Sequence, residues 1–173
     1  MRLYLIDTNI FIESAYRYYA FDICPGFWDF LEKASDSDYI KSIIKVYEEL
    51  QSDKKELENF KEKLKDKEFF LPIENITPDS YAKISTTLQK MGYYQEAVSK
   101  FSRGADYFLI ALAYQESYTI VTHETKGGNN AKSQIKIPNV CEQLNIKCID
   151  IAEFLRHEKA QFILKRIKYY LVF

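Results

Sequence analysis

Short apolar runs that end on a polar or acidic residue recur along this chain, each followed by a stretch with helical spacing, and this alternation limits the folds open to it. The runs are Leu3-Tyr4-Leu5-Ile6 before Asp7, Tyr39-Ile40-Lys41, Phe69-Phe70-Leu71 before Pro72, Tyr118 to Thr122, and Ile146 to Ile149. Their brevity and β-branched or aromatic content read as strands. Apolar residues at helical spacing fill Ile10 to Ala20, Phe27 to Ala34 after the Cys24-Pro25-Gly26 turn, Ile43 to Leu50, Tyr107 to Ser117 and Asn139 to Leu144. Thr77-Pro78 starts a further helix with proline in its first turn. Strands that alternate with helices predict a parallel sheet covered on both faces.

The 173 residues suffice for one such core and are too few for two, so residues 1–173 are read as a single domain. Residues 53–68 hold six Lys, four Glu and two Asp around Leu57, Phe60 and Leu64, which predicts a solvated helix with a thin apolar stripe. The longest apolar run, Tyr107 to Tyr114, cannot span a bilayer, and Asp7 interrupts the N-terminal run before signal-peptide length. No membrane association is expected, and the protein is read as cytoplasmic. Cys24, Cys141 and Cys148 are an odd, widely spaced set without a CxxC pair, which suggests neither a disulfide framework nor a zinc site. They are expected to be reduced and mostly buried.

The net charge of -1 hides local basic stretches. Lys126, Lys132 and Lys136 have no acidic neighbour between Thr125 and Pro138, and residues 156–173 carry five Lys or Arg against Glu158. A polyanion would be met at these stretches. Taken singly, each lysine reads more readily as a solvated loop or helix residue.

In an open α/β sheet, ligands bind beyond the carboxyl ends of the strands. Asp7 and Glu124 fall just past two such ends, Asp106 opens the helix that leads into the Glu124 strand, and Glu49 lies where a long side chain reaches back to the same edge. Each acid has a plain structural reading as well. Asp7 would serve as a helix cap, Asp106 as a first-turn partner of the helix dipole, Glu49 as a surface residue with Glu48 as its alternative, and Glu124 as a loop acid. Carboxylates gathered in one cleft repel each other, and a hard cation with oxygen ligands relieves that conflict.

Four segments resemble, in order, the four acidic motifs of PIN domains: Leu5-Ile6-Asp7-Thr8-Asn9-Ile10-Phe11-Ile12, Val46-Tyr47-Glu48-Glu49-Leu50, Ala105-Asp106-Tyr107-Phe108-Leu109-Ile110-Ala111, and Ile120-Val121-Thr122-His123-Glu124. The stretch Lys136-Ile137-Pro138-Asn139-Val140-Cys141 is similar to a PIN-like subgroup of uncharacterised bacterial and archaeal proteins. This resemblance implies a three-layer α/β/α sandwich with a central, mainly parallel sheet. It also implies phosphodiester hydrolysis dependent on Mg²⁺ or Mn²⁺, RNA as substrate, and a toxin restrained by an antitoxin protein. Asp7, Glu49, Asp106 and Glu124 match the acids that hold metal and catalyse, while Thr8, Asn9 and Thr122 match small polar positions that support them. Glutamate stands at 124 where aspartate is usual, which implies contact with the metal through water. Lys126, Lys132 and Lys136 are the candidate substrate contacts, and a homodimer is a further candidate assembly.

Two other classes compete with an endoribonuclease: a non-catalytic RNA- or protein-binding domain of the same fold, and a structure-specific DNA nuclease. An aspartyl-nucleophile phosphatase ranks last, since Thr8 and Asn9 follow Asp7 where that chemistry expects a second aspartate. His123 reads as a packing or hydrogen-bonding residue, and Gly127-Gly128-Asn129-Asn130 as a flexible loop rather than a phosphate cradle. Tyr16, Tyr18, Tyr19, Tyr93 and Tyr94 would stack on bases, although packing is the default for each.

Overall fold

The computed structural model describes residues 2–128 and 131–163, so most of the basic 156–173 segment lies outside the described residues. Five strands form one all-parallel sheet in the order β3-β2-β1-β4-β5. They are β1 (Tyr4–Ile6), β2 (Ile40–Ile43), β3 (Phe70–Leu71), β4 (Thr119–Val121) and β5 (Cys148–Ile149). The three central strands β1, β2 and β4 are wholly buried, as strands of a doubly covered parallel sheet should be, Lys41 and Ser42 of β2 included. The chain winds from β1 through β2 to β3 on one side, then crosses to β4 and β5 on the other. Its topology therefore reverses between β1 and β4, which pair in register from Tyr4–Thr119 to Ile6–Val121.

The helices are α1 (Thr8–Glu13), α2 (Pro25–Ala34), α3 (Ile44–Glu49), α4 (Lys55–Asp66), α5 (Pro78–Lys90), α6 (Gln95–Phe101), α7 (Ala105–Glu116), α8 (Ile137–Leu144) and α9 (Ile151–His157). They cover the sheet as the expected α/β/α sandwich. α4 buries Leu57, Phe60 and Leu64, the stripe read from sequence, together with Lys61. Pro25 and Pro78 sit in the first turns of α2 and α5, where a missing N–H removes no intrahelical bond.

α7 differs from the others because it is apolar almost all round, burying Ala105, Tyr107, Leu109, Ile110, Ala111, Leu112 and Ala113. Such a helix belongs inside the protein, and α7 packs against α3, α5, α8, β2 and β4. Asp106 in its first turn is half-buried there.

Several boundaries differ from the sequence reading. The second strand is Ile40–Ile43 rather than Tyr39 to Lys41, because Ile43 pairs with Leu71 before the chain turns into α3. The helix expected from Ile10 to Ala20 gives way after Glu13 to a wider π-helical turn, Ser14–Tyr18, in which Tyr19 N–H donates to the Ser14 carbonyl at 2.8 Å. Two short helices, α6 and α9, were not anticipated. α9 had a readable start, since Asp150 accepts from the Glu153 N–H at 2.7 Å as an N-cap. Of the three free cysteines only Cys141 is fully buried; Cys24 and Cys148 are half-buried, short of the mostly buried set expected. No helix among the described residues is long and apolar enough to cross a membrane.

Candidate active site

The carboxyl ends of β1 and β4 meet at the topological reversal, where an open α/β sheet forms its ligand crevice. Asp7 follows β1 directly, and its N–H donates to the Val121 carbonyl at 3.0 Å, stitching the two strand ends together. Its backbone starts α1, but its side chain makes no capping bond to that helix. The carboxylate turns instead to Thr122, whose hydroxyl donates to Asp7 Oδ2 at 2.6 Å.

Thr122 organises this end of the site. With its one hydrogen given to Asp7, its oxygen accepts from Asn9 Nδ2 at 3.0 Å and from the Glu124 N–H at 3.0 Å. Those three bonds exhaust what a hydroxyl offers, so Thr122 fixes Asp7, Asn9 and the start of the 124 loop together. Asn9 completes the link by accepting the His123 N–H at 2.9 Å. The His123 ring lies on the other side, stacked on Tyr18 with centroids 5.0 Å apart, and its buried Nε2 has no partner among the described residues. Burial lowers its pKa.

Glu49 arrives from the far end of α3. Its Oε1 accepts the Ala105 N–H at 2.7 Å, one of the free amides that open α7, and the Thr8 hydroxyl donates to its Oε2 at 3.4 Å. Of the two adjacent glutamates, both exposed, Glu49 is the one that reaches α7. Glu48 faces solvent and pairs with Lys45 at 2.6 Å.

Asp106, in the first turn of α7, stands one residue beyond the amide that holds Glu49. Burial, then the charges of Asp7, Glu124 and Glu49, push its carboxyl up to about 8, with Lys136 as the opposing influence. Asp7 is only 3% exposed, and burial, followed by the charges of Glu124 and Glu49, raises it to about 7 against the pull of the Thr122 and Thr8 hydrogen bonds. Asp7 and Asp106 thus both lie within reach of the charges of Glu49 and Glu124.

Glu124 is held differently. Lys136 Nζ binds its Oε1 at 2.7 Å and the Ile137 N–H, at the start of α8, binds its Oε2 at 2.8 Å. The Lys136-Ile137-Pro138-Asn139 stretch therefore acts as a clasp for the 124 loop: Asn139 Oδ1 accepts the Gly127 N–H at 2.8 Å, and Asn139 Nδ2 donates to the Gly127 carbonyl at 3.1 Å. This role for Lys136 and Asn139 was not read from sequence, because nothing in the loop's spacing marks a contact twelve residues apart.

The three lysines offered as substrate contacts are each engaged within the protein. Lys136 neutralises Glu124, Lys126 pairs with Glu142 at 2.6 Å, and Lys132 Nζ donates to the Met91 carbonyl at 2.8 Å. Only Lys126 is exposed enough for its pairing to be weak. Among the tyrosines, Tyr19 stacks on Phe27 and Tyr16 hydrogen-bonds Asp53, whereas Tyr94 remains 64% exposed.

As the side chains lie, no three acids, histidines or cysteines among the described residues stand together in ion-holding geometry, since Glu49 and Glu124 are turned to main-chain amides. The donor set itself fits a hard cation. It is made of oxygen alone, and Mg²⁺ keeps several waters and takes only one or two direct carboxylates. Asp7 and Asp106 are the two acids that would serve a cation directly, and the charge of Asp7 is among the influences that raise Asp106.

One family pattern matches residues 4–162, almost the whole described chain. The chain belongs to the family DUF4411, a domain of unknown function. No curated protein and no solved structure matches it. In this DUF4411 domain the matched region takes in all four acids, the Thr122 network and the clasp at Lys136.

Proposed function

We propose that this DUF4411 chain is a divalent-metal-dependent nuclease, and specifically an endoribonuclease that hydrolyses RNA phosphodiester bonds. The observation that carries the reading is the pair Asp7, buried, and Asp106, half-buried, acids from separate elements at the switch point, with Lys136 opposing the accumulated negative charge at Asp106. When bound there, Mg²⁺ or Mn²⁺ supplies the Lewis acidity and water activation that phosphodiester hydrolysis needs. The chain's own residues supply the frame. Thr122 fixes the Asp7 carboxylate, the Ala105 amide fixes Glu49, and Lys136 holds Glu124 back from direct contact, so that Glu124 acts through water.

The PIN-domain resemblance supports the same reading and extends it. We infer a cytoplasmic toxin that cleaves RNA, an antitoxin protein as the partner that restrains it, and a second copy as a candidate dimer partner. Non-catalytic RNA binding is a second reading, favoured by one observation: both oxygens of Glu124 are already taken by Lys136 and Ile137.

Incubating the chain with labelled single-stranded RNA, single-stranded DNA and branched DNA in Mg²⁺, Mn²⁺ or EDTA tests the proposal. RNA fragments that form only with metal support it. Cutting of branched DNA alone would move the activity to the DNA-nuclease reading, and intact substrates in both metals would overturn cleavage altogether.

A further inference from the structure

Near the acid cluster, between α5, the residues Gly128, Ala131 and Lys132, and α8, lies an open cleft of about 360 Å³ that the reading above does not use. It is lined by Lys83, Thr87, Lys90, Tyr93, Lys132 and Glu142, among others. Lys83, Thr87 and Lys90 are spaced so that they share one face of α5 over two turns. None of Lys83, Lys90 and Lys132 is in an ion pair with a described residue, and the one acid in the lining, Glu142, is already paired with Lys126 at 2.6 Å. The cleft is therefore a concentration of positive charge in a chain whose net charge is -1.

Its chemistry suits a phosphate next to an aromatic ring. Lys132 Nζ donates to the Met91 carbonyl at 2.8 Å and lies 5.5 Å from the centroid of the Tyr93 ring, and an ammonium group has two further N–H donors. The cleft and the acid cluster share a wall. Gly128 and Asn139 line the cleft, while Asn139 clasps Gly127 and the same loop begins at Glu124. Gly128 is four positions after Glu124, so the Cα atoms of the two residues lie within about 14 Å of each other.

We propose that this cleft is a phosphate-binding subsite for a single nucleic-acid strand, gripping a phosphodiester to one side of the acid cluster through Lys83, Lys90 and Lys132. The inference rests on the nuclease reading for its ligand class but uses none of the acids. It also shifts the grip from the three loop lysines read in sequence to a set that includes two α5 residues.

The test is fluorescence anisotropy of labelled single-stranded RNA with the full chain in EDTA, over a range of salt concentrations. Lys83→Gln/Lys90→Gln/Lys132→Gln is compared with Lys55→Gln/Lys63→Gln/Lys65→Gln, which removes equal charge from α4. Each phosphate contact contributes about 0.7 to the slope of log affinity against log salt for single strands, so the cleft variant should lose about 2 from its slope and the α4 variant almost nothing. Lys→Arg at the three cleft positions should restore the slope, which separates lost contacts from a damaged fold. Equal slopes for the two Gln variants, or no strand binding by the wild type, would overturn the proposal. So would adenosine monophosphate binding that needs the cleft lysines while the strand's slope is indifferent to them, since the phosphate would then come from a free nucleotide. A strand that is cut with an unchanged slope sinks the cleft alone; one that grips the cleft but is never cut sinks the nuclease reading and leaves the cleft standing.

Discussion

Asn in place of Asp7 keeps an oxygen for the Thr122 hydroxyl and removes a charge that the fold holds out of water. Burial lifts the Asp7 carboxyl from 3.8 to about 7, with Glu124 and Glu49 adding to it. A folded value above the unfolded one means that the folded chain binds this proton more tightly. The penalty is therefore absent below about pH 4, grows as the unfolded chain ionises first, and is complete above about pH 7. At about 1.4 kcal/mol for each pH unit, ionised Asp7 costs the fold on the order of 4 kcal/mol. Burying the Asn amide offsets about half of the gain, which leaves about 2 kcal/mol. For a chain of this size that is a rise in Tm of roughly 4–8 °C. Thermal melts of wild type and Asp7→Asn in EDTA should show this gain at alkaline pH and none at mildly acidic pH. Equal destabilisation at both pH values would refute the reasoning, because Asp7 would then be a structural cap whose charge the fold uses.

Thr122→Val keeps the shape and removes all three of its hydrogen bonds, so it should cost about 2 to 3 kcal/mol in denaturant unfolding and suppress cleavage. Glu49→Gln should lower cleavage strongly with little change in Tm, while Glu48→Gln, on the solvent side, should leave both unchanged. Lys136→Met leaves Glu124 held by the Ile137 amide alone and removes the counter-charge that opposes the rise at Asp106, so the alkaline loss of stability should steepen in melts across pH, with a smaller effect on binding of RNA.

Legibility from sequence followed the depth of burial. β1, β4 and α7 are legible because doubly covered strands and an all-round apolar helix leave apolar runs, and Asp7, Thr122 and Asp106 sit at or beside the ends of those elements; β2, with Lys41 and Ser42 inside it, was read only in part. Glu49 was legible as a position but not as a geometry, since only the fold shows that the Ala105 amide faces it and that Glu48 turns to Lys45. The clasp of Glu124 by Lys136 was hidden because it depends on how a loop folds back on α8, which no periodicity encodes. α6 escaped notice because it is short and mostly exposed, with Phe101 as its one fully buried residue. The π-helical turn after Glu13 has no sequence signature, and we have no physical account of it.

Single-turnover cleavage of one end-labelled RNA by wild type, Asp7→Asn and Asp106→Asn, titrated with Mn²⁺, tests the carboxylate centre most directly. The account predicts a rate that rises with Mn²⁺ to saturation in the wild type and falls by at least a hundredfold, on the order of 3 kcal/mol in barrier height, in both variants. Equal rates in all three chains, or cleavage that persists in EDTA, would contradict it.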